Sequence, residues 1–307
     1  MKPYGTDTAP PADRPPEPSR ELLEIGGGLL YRTGEVRSAL DSSWELLGKD
    51  LFPELSSLFA ESQTGGRGRY GRTWASPPGH VYASMRLPLR PPFEGSAAPA
   101  AMAAMLALAL EEETGTRILI KWPNDLILDG RKAGGILLEN RRGALMAGIG
   151  LNVGRPPDLS EEDGGRDPSA PPPGALPEDS AGSGGPFGLW KRLAKNVIAR
   201  YNAGSALLPP AARAPSGRAP VPDRGPGRNP CAPVLRTGFP DLMDAAASRL
   251  YGMGRRVLVK RPAPAASEGE LALEGRIAGL DAGGALVVET SRGPRSLWSG
   301  TVLFPPD

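Results

Sequence analysis

The apolar positions of this chain change period several times, and each change marks an element. "SLFAESQT" (57–64) and "HVYASMRL" (80–87) predict strands, the second by alternating apolar and polar side chains and the first by running into a glycine-arginine loop. Residues 96–114 switch to helical spacing. Met102, Met105, Leu106, Ala109 and Leu110 fall on one face, Ser96 stands where a cap would, and Pro99 suits the first turn. A meander follows: "RILIKW" (117–122), "LIL" (126–128), "KAGGILLE" (132–139) and "ALMAGIGLNV" (144–153) are of strand length, and "DGR" between the second and third is a strong hairpin signal. Residues 35–49 predict an extended segment, a turn at Asp41, Ser42 and Ser43, then a short helix. Helical spacing returns at 188–202 and 241–251. From Arg256 onward, short alternating strands with glycine turns spell a small β-barrel. The order predicts an α+β fold: a mixed, mainly antiparallel sheet with packed helices, followed by a small all-β unit.

Composition sets boundaries. Of 41 glycines and 36 prolines, it is the prolines that are concentrated in the first 20 residues, in 154–187 and in 203–240. These stretches hold too few large apolar residues to offset chain entropy, so they are expected to be disordered. The division is a Pro-rich tail (1–28), a domain at 29–252 with two insertions, and a barrel at 253–307. One cysteine (Cys231) excludes a disulfide within the chain. One histidine (His80) argues against a Cys/His zinc site and a Ser-His-Asp hydrolase, and no metal site is expected. No apolar run is long enough to span a membrane, and the N-terminus has no signal-peptide pattern, so a cytoplasmic protein with no membrane partner is expected. With 36 basic and 34 acidic residues the net charge is +2, which does not suit a general nucleic-acid binder.

Against that neutral background one cluster stands out. "GGRGRYGRTW" (65–74) sets Arg67, Arg69 and Arg72 among four glycines. A solvated basic loop, a nucleic-acid patch and a phosphate cradle all fit the stretch alone. It contains a G-x-G-x-x-G match, but Pro77 and Pro78 follow where a dinucleotide site needs a helix. Glycines let backbone amides approach an anion, arginine offers a two-pronged donor, and Trp74 is near enough in sequence to stack on a purine. A second cluster, "KWPNDLILDGRKAGGILLE" (121–139), puts Asn124 and Asp125 in a turn and Lys132 one hairpin arm away. Gly134 and Gly135 inside a strand mark a bulge or a ligand lying against the backbone. Taken singly, Asp125 also reads as a turn-former and Lys132 as an exposed strand residue.

"ESQTGGRGRYGRTWASPPGHVYAS", "KWPNDLILDGRKAGGILLE" and "GIGLNV" (148–153), in this order, resemble the biotin protein ligases. The resemblance implies a class II synthetase-like biotin/lipoate ligase domain followed by an SH3-like barrel. It implies ATP and Mg2+, biotin as substrate, formation of biotinyl-5′-AMP, and transfer of biotin to a lysine of a biotin carboxyl carrier protein domain. It assigns Lys132, Arg67, Arg69 and Asp125 to catalysis, Asp125 orienting or deprotonating the incoming lysine. Biotin would meet Ser42, Ser43, Gln63, Arg67, Gly68, Arg69, Lys132 and Gly135. The nucleotide would meet Arg69, Trp74, Asn124, Lys132 and Asn152. The chain departs from the pattern at Trp44, where the family usually has asparagine, and at His80. About 34 residues precede the domain, too Pro-rich for a winged helix, so no DNA partner is expected. The resemblance leaves a homodimer open. A lipoate or octanoate ligase or transferase of the same fold is the alternative; a non-catalytic nucleotide- or RNA-binding module is the third reading.

Overall fold

The computed structural model describes residues 19–23, 27–157, 170–207, 239–260 and 271–305. Eight strands form its main sheet: β1 (Ser19–Leu22), β2 (Leu29–Val36), β3 (Ser57–Gln63), β4 (Val81–Leu87), β5 (Leu119–Lys121), β6 (Asp125–Leu128), β7 (Arg131–Arg141) and β8 (Ala144–Leu151). Their order is β1-β2-β3-β4-β8-β7-β6-β5, and only β2 and β3 run parallel. The expected mixed, mainly antiparallel sheet is therefore present, and the meander of 117–153 forms one half of it.

The alternation along the strands sends side chains to two cores. In β3, Phe59 joins the large core under helices α2 (Ala98–Thr114) and α3 (Gly185–Ala206), while Leu58 and Ala60 face α1 (Ala39–Gly48). In β8, Ala147 goes to the large core and Met146 to the α1 side. Trp190 of α3 is fully buried and its indole Nε1 donates to Ser57 Oγ at 2.8 Å, tying the helix layer to β3.

Helix α2 departs from expectation in two ways. It begins at Ala98, after a short 3-10 turn at Gly95–Ala97, so Ser96 lies in that turn rather than capping the helix; Pro99 does sit in the first turn. It is also buried nearly all round, not on one face. The reason is its place between the sheet and helices α3 and α4 (Pro240–Ser248), which alanine-rich sides allow to approach closely.

The compositional reading of the tail and first insertion fails where backbone pairing replaces apolar patterning. Ser19–Leu22, expected in a disordered tail, pair with β2 as an edge strand, and Leu23 is buried. Residues 170–187, expected to stay outside the core, carry Leu176 and Ala181 into it. Lys132 N–H donates to Pro172 O at 2.7 Å and Gly174 N–H to Lys132 O at 2.9 Å, so prolines are used here as acceptors, which their lack of N–H does not prevent. Residues 158–169, most of 203–240 and Cys231 lie outside the described residues.

The second sheet has five antiparallel strands: β9 (Arg256–Lys260), β10 (Leu271–Leu280), β11 (Leu286–Thr290), β12 (Gly293–Leu297) and β13 (Thr301–Leu303), in the order β12-β11-β10-β9-β13. Its core of Val257, Val259, Ile277, Leu286, Val288 and Val302 also takes in Trp122, just past β5, whose Nε1 donates to Gly284 O at 3.0 Å. That contact sets the small sheet beside the turn carrying Asn124 and Asp125.

Candidate active site

A cleft of about 970 Å3, partly open to solvent, lies on the α1 side of the sheet. Its floor is the paired backbone of β7 and β8. Gly135 stands opposite Gly150, and the indole of Trp74 lies on both. A Cβ at Gly150 would sit 2.6 Å from Trp74 Nε1, so this close approach needs glycine. Trp74 Nε1 is buried with no hydrogen-bond partner among the described residues. Gly150→Ala is expected to destabilise the protein by about 1–3 kcal/mol through overpacking, where Gly34→Ala (open space around its added Cβ) stays within about 0.5 kcal/mol. Denaturant unfolding of the two variants measures the difference; equal values would refute the Trp74 contact.

The β6–β7 hairpin positions the acid and the amine. It closes at Asp129 and Gly130, both with left-handed φ, as the "DGR" signal predicts. This brings Lys132 Nζ to 2.7 Å from Asp125 Oδ1. Lys132 Nζ also lies 5.3 Å from the Trp74 ring centroid. Desolvation, the largest single influence, pushes the Asp125 carboxyl up, but Lys132, Lys121 and Arg69 together outweigh it and hold it below the usual carboxylate range. Asp125 is thus an ionised, weakened base.

The glycine-arginine loop arches over this floor as a small hairpin, with Gly68 N–H donating to Arg72 O at 2.7 Å and Trp74 N–H to Gly66 O at 2.9 Å. Its two inner arginines have different surroundings. Arg67 is gripped by Asp41 through two bonds of 2.7 Å, and Glu139 Oε1 lies 3.6 Å away. The bond to Asp41 raises the Arg67 pKa and, seen from the other side, lowers that of Asp41. Among the described residues Arg69 bonds only neutral oxygens: Tyr70 Oη, Asn124 Oδ1 at 3.3 Å and Gly300 O at 3.5 Å. Burial lowers its pKa, though an arginine stays charged. Tyr70 itself has a φ of 59°, a left-handed backbone costly for a large side chain.

Of the residues singled out from sequence, Gln63, Arg67, Gly68, Arg69, Trp74, Asn124, Asp125, Lys132 and Gly135 line the cleft. Ser42, Ser43 and Asn152 do not. Ser43 is fully buried and bonds Ser84 Oγ. One helical turn earlier, Ser38, Ala39 and Leu40 occupy the cleft wall instead. Ser38 precedes the first turn of α1, and that helix start is the signal which could have found it. Asn152 gives its side-chain N–H to Gly174 O at 2.8 Å, fastening the 170–177 segment. Gln63 is already engaged: its Oε1 accepts from Ala39 N–H at 2.8 Å and its Nε2 donates to Ser76 Oγ at 2.9 Å. Sequence reasoning also missed Lys121 and the Gly300–Val302 wall from the small sheet. His80 is buried, accepts from Val153 N–H at 3.1 Å, and has its pKa lowered by desolvation, so it is a neutral structural group. Trp44 donates to Glu139 Oε2 at 3.0 Å.

Among the described residues the lining carries five cations (Arg67, Arg69, Arg72, Lys121 and Lys132) and one carboxylate, Asp125. Such a surface suits an anion with a flat apolar body. Residues 37–155 match the model of the biotin/lipoate A/B protein ligase family, and this stretch contains the cleft floor, the loop and the Lys132–Asp125 pair. A biotin–[acetyl-CoA-carboxylase] ligase from Paracoccus denitrificans is 39% identical over 137 residues, which are 40% of this chain and 54% of that one. The bifunctional ligase/repressor BirA from Bacillus subtilis (strain 168) is 34% identical over 142 residues, 44% of this chain and 43% of that one. The chain thus spans about half the length of the curated relatives it matches. A biotin protein ligase from Aquifex aeolicus, solved in complex with biotin and ATP, superposes with a TM-score of 0.62 at 22% identity, covering 89% of this chain and 97% of that one. The fold is the biotin protein ligase fold.

Proposed function

We propose that the protein is an ATP-dependent biotin–protein ligase, which forms biotinyl-5′-AMP and passes biotin to a lysine of a biotin carboxyl carrier domain. The observation that carries this reading is the cleft itself: cations line a glycine-floored slot, and among the described residues Arg69 has no carboxylate bonded to it. In the first step the biotin carboxylate oxygen bonds to the α-phosphorus of ATP and pyrophosphate leaves. Negative charge grows on phosphoryl oxygens, so fixed cations aimed at them do most of the work. Arg69 and Lys132, which both line the cleft, take that role in this reading. In the second step the carrier lysine attacks the carbonyl of the mixed anhydride and AMP leaves.

Asp125, ionised and paired to Lys132, fits an orienting role toward the carrier's ammonium better than that of a strong base. The cleft offers Mg2+ no set of carboxylates, so the ion would enter on the nucleotide's phosphates with its waters. We read residues 29–252 as the catalytic domain and 253–307 as an SH3-like barrel, and we place the reaction in the cytoplasm. No helix among the described residues is long and apolar enough to cross a membrane.

The test is a streptavidin blot of a purified biotin carrier domain after incubation with the protein, ATP, magnesium and biotin. A biotin-dependent band is expected. Modification with lipoate and none with biotin would overturn the reading in favour of a lipoate ligase of the same fold.

A further inference from the structure

The glycine-arginine loop is held at its end by Trp74, whose indole packs on Gly135 and Gly150, and has little to hold it between there and its start. Its tip, Gly71 to Thr73, is exposed, four glycines soften its backbone, and Tyr70 sits in a left-handed conformation. Its backbone bonds to the rest of the protein are at its start, where Thr64 and Gly65 N–H reach Val36 and Arg37 carbonyls. The Arg69 contacts to Asn124 and Gly300 are long, at 3.3 and 3.5 Å. One charged grip is short and two-pronged, that of Asp41 on Arg67.

We infer that Asp41 is a positioning residue: its carboxylate fastens the loop over the cleft by holding Arg67. Asp41 is well placed for this. It lies in the first turn of α1, where an acid is favoured by the helix dipole. Leu40 and Leu46 bury that helix against the sheet, so the carboxylate is presented from a fixed support. Glu139 of β7 is the weaker partner: its Oε1 lies 3.6 Å from Arg67, while its Oε2 accepts from Trp44 Nε1 and pairs with Arg141 at 2.6 Å. Arg67 and Arg69 then divide the labour of one motif: the first anchors, and the second faces the ligand.

Only the catalytic consequence of this inference rests on the ligase reading; the anchoring is a property of the free protein. Hydrogen exchange on the full chain without ligand tests the anchoring. Asp41→Asn is expected to speed exchange of the 66–74 amides by about tenfold, with β7 and β8 amides unchanged. Asp41→Glu keeps a carboxylate and is expected to retain most of the protection. Three results would overturn the inference: loop exchange unchanged in Asp41→Asn, equal acceleration in β7 and β8, or Asp41→Glu as labile as Asp41→Asn. With biotin and ATP but no carrier, Asp41→Asn should raise KM for biotin more than it lowers kcat for pyrophosphate release; a kcat loss at unchanged KM contradicts it. A wild-type protein that releases no pyrophosphate sinks the ligase reading, while the exchange data still judge Asp41.

Discussion

On the ligase reading proposed above, Lys132→Ala is expected to lower pyrophosphate release from biotin and ATP by about a hundred- to a thousandfold, the loss typical when one preorganised charge is taken from a developing oxyanion. Two effects of the substitution add. The cation proposed to meet the phosphoryl oxygens is gone, and Asp125 loses its 2.7 Å partner. Desolvation already pushes the Asp125 carboxyl up, and without Lys132 less remains to oppose it. A half-buried carboxylate left with only Lys121 and Arg69 nearby also costs stability, so thermal unfolding must accompany the kinetics. Lys132→Arg separates the two: it keeps a charge near Asp125 but replaces a point donor by a planar fork, and should restore stability more fully than rate. If Lys132→Ala releases pyrophosphate at the wild-type rate while folded, the role given to Lys132 is wrong.

Arg69→Ala is expected to change where biotin ends up as well as how fast. Arg69 faces the cleft and reaches across to Gly300 O of the small sheet, so it contributes both to ligand charge and to closure of the slot. Its loss should slow the first step about ten- to a hundredfold. The reactive anhydride that still forms is less well enclosed and meets water and stray amines. Incubating the variant with a carrier domain and an unrelated lysine-rich protein, then probing both with streptavidin, should show labelling of the bystander. Labelling confined to the carrier at the wild-type ratio would refute the closure role.

Much of the site was legible. Lys132 and Asp125 could be placed together because only a two-residue turn separates their strands, and a hairpin fixes register. The "GGRGRYGRTW" loop stood out because its arginines cluster in an otherwise neutral chain, and the structure sets Arg67, Arg69 and Arg72 along the cleft. Ser42 and Ser43 were misplaced because a hydroxyl pair reads the same on either side of a helix. At 3.6 residues per turn, moving one turn back to Ser38 puts the chain at the cleft, while Ser43 is rotated toward Ser84 and the sheet. Residues 170–187 were misjudged because composition measures apolar content, and this segment is held largely by backbone bonds to Lys132 and Asn152.

By itself, then, the sequence determined most of the strands and helices, the β6–β7 turn and the residue types able to meet an anion. These depend on neighbours a few positions apart, through side-chain period and backbone sterics. Tertiary structure alone decided which charge meets which. Arg67 and Asp41 are 26 positions apart and share two hydrogen bonds, and Arg69 finds Gly300 across 231. Trp74 lies on Gly150 for the same reason. Such contacts act over a few ångströms of space and are indifferent to distance along the chain, so only the folded backbone can tell an anchoring arginine from one left to receive a ligand.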